Sequence, residues 1–335
     1  MNNLRLTVAV PVFNGGVPLL EAIESCKNIN LPITDFEILI VDNCSTDQMI
    51  NECISKFGDL LPIRVVHNQV NCGRINNWNR CLELAQGEII LFLFANDLIS
   101  KINSIESALE IFTEHNNCSL ISAPWIISNF TQSFQKQEPE FVKRSPGIGI
   151  FQINQHIDKV IETGKLPFVC LQSCFLRRSL VLEYELLFDE SIPLTTDGVF
   201  LSSLALTTET VGFIENPTMI FRYDAPNRQH SNVKLHQHIE QMLSAFVQIQ
   251  KLSSKQKIDL TKAFSNFSGL ENGVKYLSRN ISFDGLKYLL QMRKSWNKSI
   301  AEYGVDGFIF RLLIIKRFLF LPVRTAAFFT RILLK

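Results

Sequence analysis

The stretch Leu91-Phe92-Leu93-Phe94-Ala95-Asn96-Asp97 runs apolar and then stops on a carboxamide and a carboxylate. A buried parallel strand whose first charge comes at its carboxyl end is where open α/β sheets place ligand chemistry. Asp42 repeats the arrangement: it ends the apolar run Phe36 to Val41 and leads into Asn43-Cys44-Ser45-Thr46-Asp47. An Asx turn opening a helix would use the same residue. Arg74 follows Asn71-Cys72-Gly73 at the entry to another helical stretch. A cation beside a helix amino terminus suits a diphosphate, and a solvated surface arginine is the alternative. Asp197, in Thr195-Thr196-Asp197-Gly198, also opens a helix, where a carboxylate or Thr196 can serve as an ordinary N-cap.

The elements that must position these groups follow from periodicity. Apolar runs at 6–10, 36–41, 63–67 and 88–94 read as strands. Pro11 to Gly16 ends the first of them, since proline interrupts a ladder and glycine allows close backbone approach. Helices are predicted from about Val17 (Leu20, Ile23), over Met49, Ile50, Cys53, Ile54 and Phe57 with Ser45 or Thr46 as cap, and over Ile75, Trp78, Leu82 and Ala85. Strand alternating with helix in this way argues a parallel doubly wound sheet. Beyond Ser100 come a helix (Ile102, Ile105, Leu109, Phe112), a strand at 119–123 and a polar loop or lid at 129–149. A strand at 168–176, a helix at 179–187, a helix at 199–206 and strands at 211–214 and 219–223 complete this part, and 233–303 reads as helical. Trp78 belongs to a helix facing the sheet and reads as core.

Composition narrows the classes. The 335 residues are 46% hydrophobic with net charge +1, enough for one large or two ordinary domains and without a global push toward nucleic acid. Eight scattered cysteines form no CxxC pair or finger spacing and read as reduced, which fits a cytoplasmic setting. The amino terminus enters a strand directly, without the build of a signal peptide, and no run of about 18 uncharged apolar residues suggests a membrane span. Phe308 to Lys335 holds six basic and no acidic residues, and Arg317, Arg324 and Arg331 share one helical face. Interfacial helices on an anionic leaflet would account for it, making the protein peripheral on the cytoplasmic face; docking on the protein itself or on a partner subunit is the other reading.

Four blocks, in order, resemble the family 2 glycosyltransferases of the GT-A fold: Val8-Ala9-Val10-Pro11-Val12-Phe13-Asn14, Ile40-Val41-Asp42-Asn43-Cys44-Ser45-Thr46-Asp47, Asn71-Cys72-Gly73 through Asn77-Trp78-Asn79-Arg80 to Gly87-Glu88, and Leu93 to Asp97. Looser matches are Phe175 to Ser179, Phe188-Asp189-Glu190, and Phe221-Arg222-Tyr223 through His230-Ser231. The resemblance implies a GT-A domain over 1–232, with a nucleotide-binding half at 1–100 and an acceptor half at 101–232; a helical extension at 233–305 and the basic tail at 306–335 would follow. It implies that Asp42 accepts from a uracil N–H, that Pro11, Phe13 and Asn14 shape the base and ribose pocket, and that Arg74 meets the diphosphate. Asp97 would hold Mn²⁺ or Mg²⁺ on the nucleotide, Asn96 would touch the sugar or a metal-bound water, and Asp197 would be the general base. Phe94, Asn96 and Thr196 stand where the family carries carboxylates, so Asp224 or His230 become candidates for a further metal ligand.

The expected function is metal-assisted, inverting transfer of a sugar from a nucleotide-diphospho-sugar, of UDP type, to a hydroxyl of a lipid-linked or other glycan acceptor in cell-surface polysaccharide synthesis. The replaced carboxylates motivate the alternative of a non-catalytic nucleotide-sugar binding or scaffolding relative. A dinucleotide-dependent oxidoreductase is excluded by the lack of GxGxxG after the first strand.

Overall fold

The computed structural model of the chain describes residues 4–128, 140–142, 148–152, 168, 170–208 and 210–222. The expected helical extension at 233–305, the basic tail at 306–335, Asp224 and His230 lie outside the described residues. The chain divides into two compact units, one of Met1–Ile153, Phe168–Ser191 and Phe200–Gln229, the other of Asn154–Pro167, Ile192–Val199 and His230–Lys335.

In the first unit, β1 (Leu6–Val12), β2 (Phe36–Asp42), β3 (Ile63–His67) and β4 (Ile89–Phe92) pair in parallel in the order β3-β2-β1-β4. Their apolar runs are buried along β1, β2 and β4, as a sheet covered on both faces requires. One face carries Leu6, Val8, Val10, Ile38 and Ile40 into a core with Leu19, Ile23, Cys53 and Phe57 from α1 (Gly16–Ser25) and α2 (Met49–Phe57). The third helix, α3 (Arg74–Leu84), packs on β1 and β2 and buries Ile75, Trp78, Cys81 and Leu82. Each such side chain contributes about 1.5–3 kcal/mol on full burial, so this half of the domain is well able to hold its loops in place.

Several expectations change in detail. Pro11 does not end β1; it pairs with Val41 inside the strand. Pairing of β1 with β4 stops at Ala9, so on that side the missing N–H of Pro11 forgoes no ladder bond. Ser45 and Thr46 do not cap α2, which starts after Gln48 without a side-chain cap. The stretch expected as a strand from 168 opens instead with a 3-10 turn, Leu171–Ser173, in which the Ser173 N–H and Oγ both donate to the Cys170 carbonyl.

The sheet continues from β4 through β10 (Cys174–Arg177), antiparallel to both its neighbours, to β6 (Cys118–Ser122), β11 (Thr210–Phe213) and β9 (Gly149–Gln152). A second, four-stranded sheet has the order β5-β12-β7-β8, from Leu98–Ile99, Met219–Arg222, Trp125–Ser128 and Glu140–Val142. The segment expected as a loop over 129–149 therefore contributes an edge strand of the small sheet, and β9 follows at its end. Both are too short to announce themselves by alternation. The remaining helices are α4 (Ile105–Glu114), α5 (Arg178–Glu183) and α6 (Thr196–Ala205). In the second unit, Ile192 and Val199 pack together around the turn in which Thr195 N–H donates to the Ile192 carbonyl.

At the amino ends of the parallel strands, buried Thr7 ties three elements together. Its Oγ1 donates to Glu37 Oε1 and accepts the N–H groups of Gln86 and Gly87, while Arg64 Nε donates to Glu37 Oε2 at 2.7 Å. Gly87 must be glycine, because a Cβ there would lie 2.4 Å from the main chain of Leu6 and Thr7. Thr7→Val keeps the shape and removes the hydroxyl, leaving the buried Gly87 N–H short of an acceptor, while the Gln86 N–H keeps Glu37 Oε1. We expect a loss of about 1–3 kcal/mol in denaturant unfolding with the fold retained by circular dichroism.

Candidate functional site

Because β1 to β4 run parallel, their carboxyl ends share one edge, and the chain reverses its lateral direction between β1 and β4. Ligands of such sheets bind at that edge. The structure brings to it the loop after β1 (Phe13, Asn14), the end of β2 (Asp42), the loop after β3 (Asn68 to Arg74) and the end of β4 (Phe94 to Asp97).

The first two loops are joined to each other. Asn14 has φ +49° and its N–H donates to Ser45 Oγ, while the Thr46 N–H donates to Asn14 Oδ1 at 2.8 Å. Asp47 Oδ2 accepts the Gly16 N–H at the start of α1, so a residue of the second loop caps the helix after the first. Ser45 and Thr46, expected as caps of α2, are spent on this cross-link. Phe13 is left 52% exposed beside it, an aromatic face that the core does not use.

Asp42 sits opposite Val12 in the β1–β2 register and is almost fully buried as a residue. Its Oδ1 accepts the Ser45 N–H at 2.9 Å, and His67 Nδ1 lies 2.8 Å from Oδ2. Burial alone would raise its pKa, but the hydrogen bonds from Ser45 and His67 outweigh that and hold the carboxyl below its usual range. The sign follows: a carboxyl depressed in the folded state adds stability above its unfolded pKa and gives it up as pH falls through the folded value. At neutral pH it is an ionised acceptor.

Behind Asp42 lies a network of carboxamides. Asn43 Nδ2 donates to Asn71 Oδ1 and to the Gly73 carbonyl, and Asn43 Oδ1 accepts from the Cys72 N–H and from Asn68 Nδ2. Asn68 Nδ2 also donates to Asn77 Oδ1, whose own Nδ2 donates to the Val41 carbonyl. Gly73, at φ +85°, then turns the chain into α3. The product is the placement of Arg74 at the first position of the helix, with its guanidinium 5.0 Å from the Trp78 ring centroid. Trp78 is core, as expected, and its ring lies 5.0 Å from Phe94 and 5.3 Å from Phe188. Phe92 and Phe200 complete the aromatic cluster. Phe94 is thus a packing residue, and Asn79 locks the same segment through reciprocal bonds with the Phe188 N–H and carbonyl.

Asp97 is placed differently from Asp42. It is fully buried, and its oxygens accept from Gln172 Nε2 at 3.0 Å and from the Arg222 N–H at 3.2 Å. Arg222 also donates through Nε to the Asn96 carbonyl and through Nη1 to Glu21. The carboxylate therefore ties the end of β4 to β12 and to the 3-10 turn. The Asn96 side-chain Oδ1 is buried and has no hydrogen-bond partner.

Among the described residues no trio of His, Cys, Asp or Glu could hold a metal ion. Each Asp97 oxygen accepts a protein donor, the neutral Asn96 side-chain oxygen is unmatched, and the other candidate metal ligands, Asp224 and His230, lie outside the described residues. Gln172 and Arg222 were missed in the sequence as parts of this arrangement. An arginine closing the apolar strand Met219–Arg222 was the available signal. Asp197 lies in the second unit, in the first turn of α6, half-buried, with its Oδ1 accepting the Gly198 N–H at 2.8 Å. No helix among the described residues is long and apolar enough to cross a membrane.

Comparison with known proteins places this edge in context. The poly(ribitol-phosphate) β-N-acetylglucosaminyltransferase TarS of Staphylococcus aureus is 23% identical over 314 residues, covering 90% of this chain and 49% of that protein. The minor teichoic acid biosynthesis protein GgaB of Bacillus subtilis is 31% identical over 117 residues, 34% of this chain and 13% of that protein. The chain thus spans about half the length or less of these curated relatives. The crystal structure of S. aureus TarS 1–349 in complex with UDP-GlcNAc matches with a TM-score of 0.66 at 18% identity, covering 93% of this chain and 84% of that one. The fold is therefore the mixed α/β architecture of the GT-A glycosyltransferases. Residues 7–184, more than half of the sequence, match the sequence model of Glycosyl transferase family 2, and the chain belongs to that family.

Proposed function

We propose that this chain transfers a sugar from a uridine diphosphate donor to a hydroxyl of a cell-surface polymer, with polyol-phosphate chains of the kind named for its relatives as the acceptor class. The carrying observation is the carboxyl edge of β1 and β2, where an ionised Asp42 sits in register with Val12 and the half-exposed Phe13 follows Val12 in the chain. An acceptor carboxylate at an edge that also carries an exposed aromatic side chain suits a base that presents an imino N–H, and the family and the UDP-GlcNAc complex of TarS support uridine. Pro11 and Asn14 shape the same pocket through the strand end and the cross-linked loop.

Arg74 and the first N–H groups of α3 meet the diphosphate, where a fixed cation and a helix amino terminus offset the charge that builds on the leaving group. Asn96 supplies a neutral oxygen to a sugar hydroxyl. Asp197 takes the proton from the acceptor hydroxyl as it attacks the anomeric carbon from the side opposite the diphosphate, so the product is inverted. A lipid-linked acceptor and a basic tail at 306–335 that rests on the membrane belong to the same proposal. The reading as a non-catalytic sugar-nucleotide binder makes the opposite forecast on turnover alone.

The two acidic residues separate in experiment. Asp197→Ala should lower kcat by about 10²–10⁴-fold with the affinity for UDP unchanged, measured with UDP-GlcNAc and poly(ribitol phosphate). Equal turnover in the variant and the parent would remove Asp197 from the mechanism, and nucleotide binding without any turnover would favour the non-catalytic reading. Asp97→Ala should instead cost stability, about 1–3 kcal/mol in thermal or urea unfolding, because it strands the Gln172 amide and the Arg222 N–H. The expected metal is tested on the parent protein by UDP affinity in Mn²⁺ against EDTA: tighter binding with Mn²⁺ supports a metal on the diphosphate, and equal binding removes it from the mechanism. Arg74→Ala should weaken UDP binding roughly tenfold or more, and uridine binding hardly at all, since only the diphosphate needs the cation.

A further inference from the structure

The last residue of β3 is His67, and in the parallel register it lies directly across from Asp42. Its side chain is 62% exposed, against 6% for Asp42, and its Nδ1 stands 2.8 Å from Asp42 Oδ2. The main chains are joined at the same point, with the Asn68 N–H donating to the Asp42 carbonyl at 2.8 Å. An ionised carboxylate has no proton to give, so the hydrogen in this contact sits on Nδ1 and the imidazole is the donor. The Ser45 N–H binds the other oxygen. The carboxylate is therefore held by two donors, one on each oxygen, and cannot rotate without losing both. Each oxygen keeps further acceptor capacity for a ligand.

We propose that His67 is a specificity-determining positioning residue: it holds the Asp42 carboxylate in one orientation, so that the site accepts a nucleobase presenting an imino N–H and rejects one presenting a bare ring nitrogen. This rests on the donor-site reading above. Uracil N3–H donates to such a carboxylate. Cytosine N3 is itself an acceptor and meets two negative lone-pair regions, a juxtaposition that costs binding. A protonated or rotated Asp42 would lose that contrast, because a carboxylic acid can donate to cytosine N3. His67 thus acts on discrimination through Asp42, without itself having to contact the base. Its exposure marks it as a residue that the core does not need, since the ring buries little apolar surface and makes its polar contact with the carboxylate.

The test is calorimetric titration of UDP and CDP into the full chain, parent and His67→Ala, with Asp42→Asn as a comparison. We expect His67→Ala to weaken UDP about tenfold and to shrink the UDP-to-CDP preference by a similar factor, with little change in melting temperature. His67→Asn, whose amide can place an N–H near the position of Nδ1, should restore the preference. Asp42→Asn, able to donate to cytosine N3, should shift it toward CDP. UDP binding and preference unchanged in His67→Ala would overturn the proposal while leaving the donor site in place. Equal weakening of UDP and CDP would do the same, since a merely structural histidine predicts it. A parent protein that binds no uridine nucleotide overturns the donor-site reading itself, and this inference with it.

Discussion

The nucleotide edge of the protein depends on one buried carboxamide. Asn43 is 3% exposed, follows the end of β2, and uses both amide hydrogens and its oxygen on the loop after β3. Unpaired polar groups at that depth are costly, so the loop has one conformation in which all are satisfied. Its consequences extend outward: Gly73 can adopt its left-handed turn, α3 begins where it does, and Arg74 comes to lie over Trp78. A charged side chain that would otherwise sample many rotamers is confined by a ring beneath it. The edge is pre-organised by groups that need never touch a ligand.

Asp42 and Asp97 look alike in the sequence, each the first acid after an apolar run, and their surroundings separate them. Asp42 takes its donors from Ser45 in the loop that follows it and from His67 at the end of β3, and stays ionised at the sheet edge. Asp97 is drawn inward by Gln172 and the main chain of Arg222, residues 75 and 125 positions away. A carboxylate in that position joins two sheets. Its neighbour Asn96, a residue without charge, is the one whose side-chain oxygen is left unmatched.

The replacement at Phe94 has a physical account in the same terms. An aspartate there would give up the ring contacts that Phe94 makes with Trp78 and Phe92. Phenylalanine fills the space with ring contacts and supports the tryptophan that carries Arg74. What reads in the sequence as an eroded acidic motif is in three dimensions a packed platform.

The sequence by itself determined the parallel strands β1 to β4, the helices between them and the loops that carry Phe13, Asp42 and Arg74, because these follow from local periodicity and turn chemistry. The family was legible too, from short blocks at fitting distances. The tertiary structure alone decided which way each polar side chain turns. The partners of Asp97, the His67 contact and the cross-link of Asn14 to Ser45 join residues tens of positions apart, and no local pattern encodes such pairings. The short strands β5 and β7 escaped notice for a related reason: two to four residues hold no period, and their ladders exist only when a distant strand is in place.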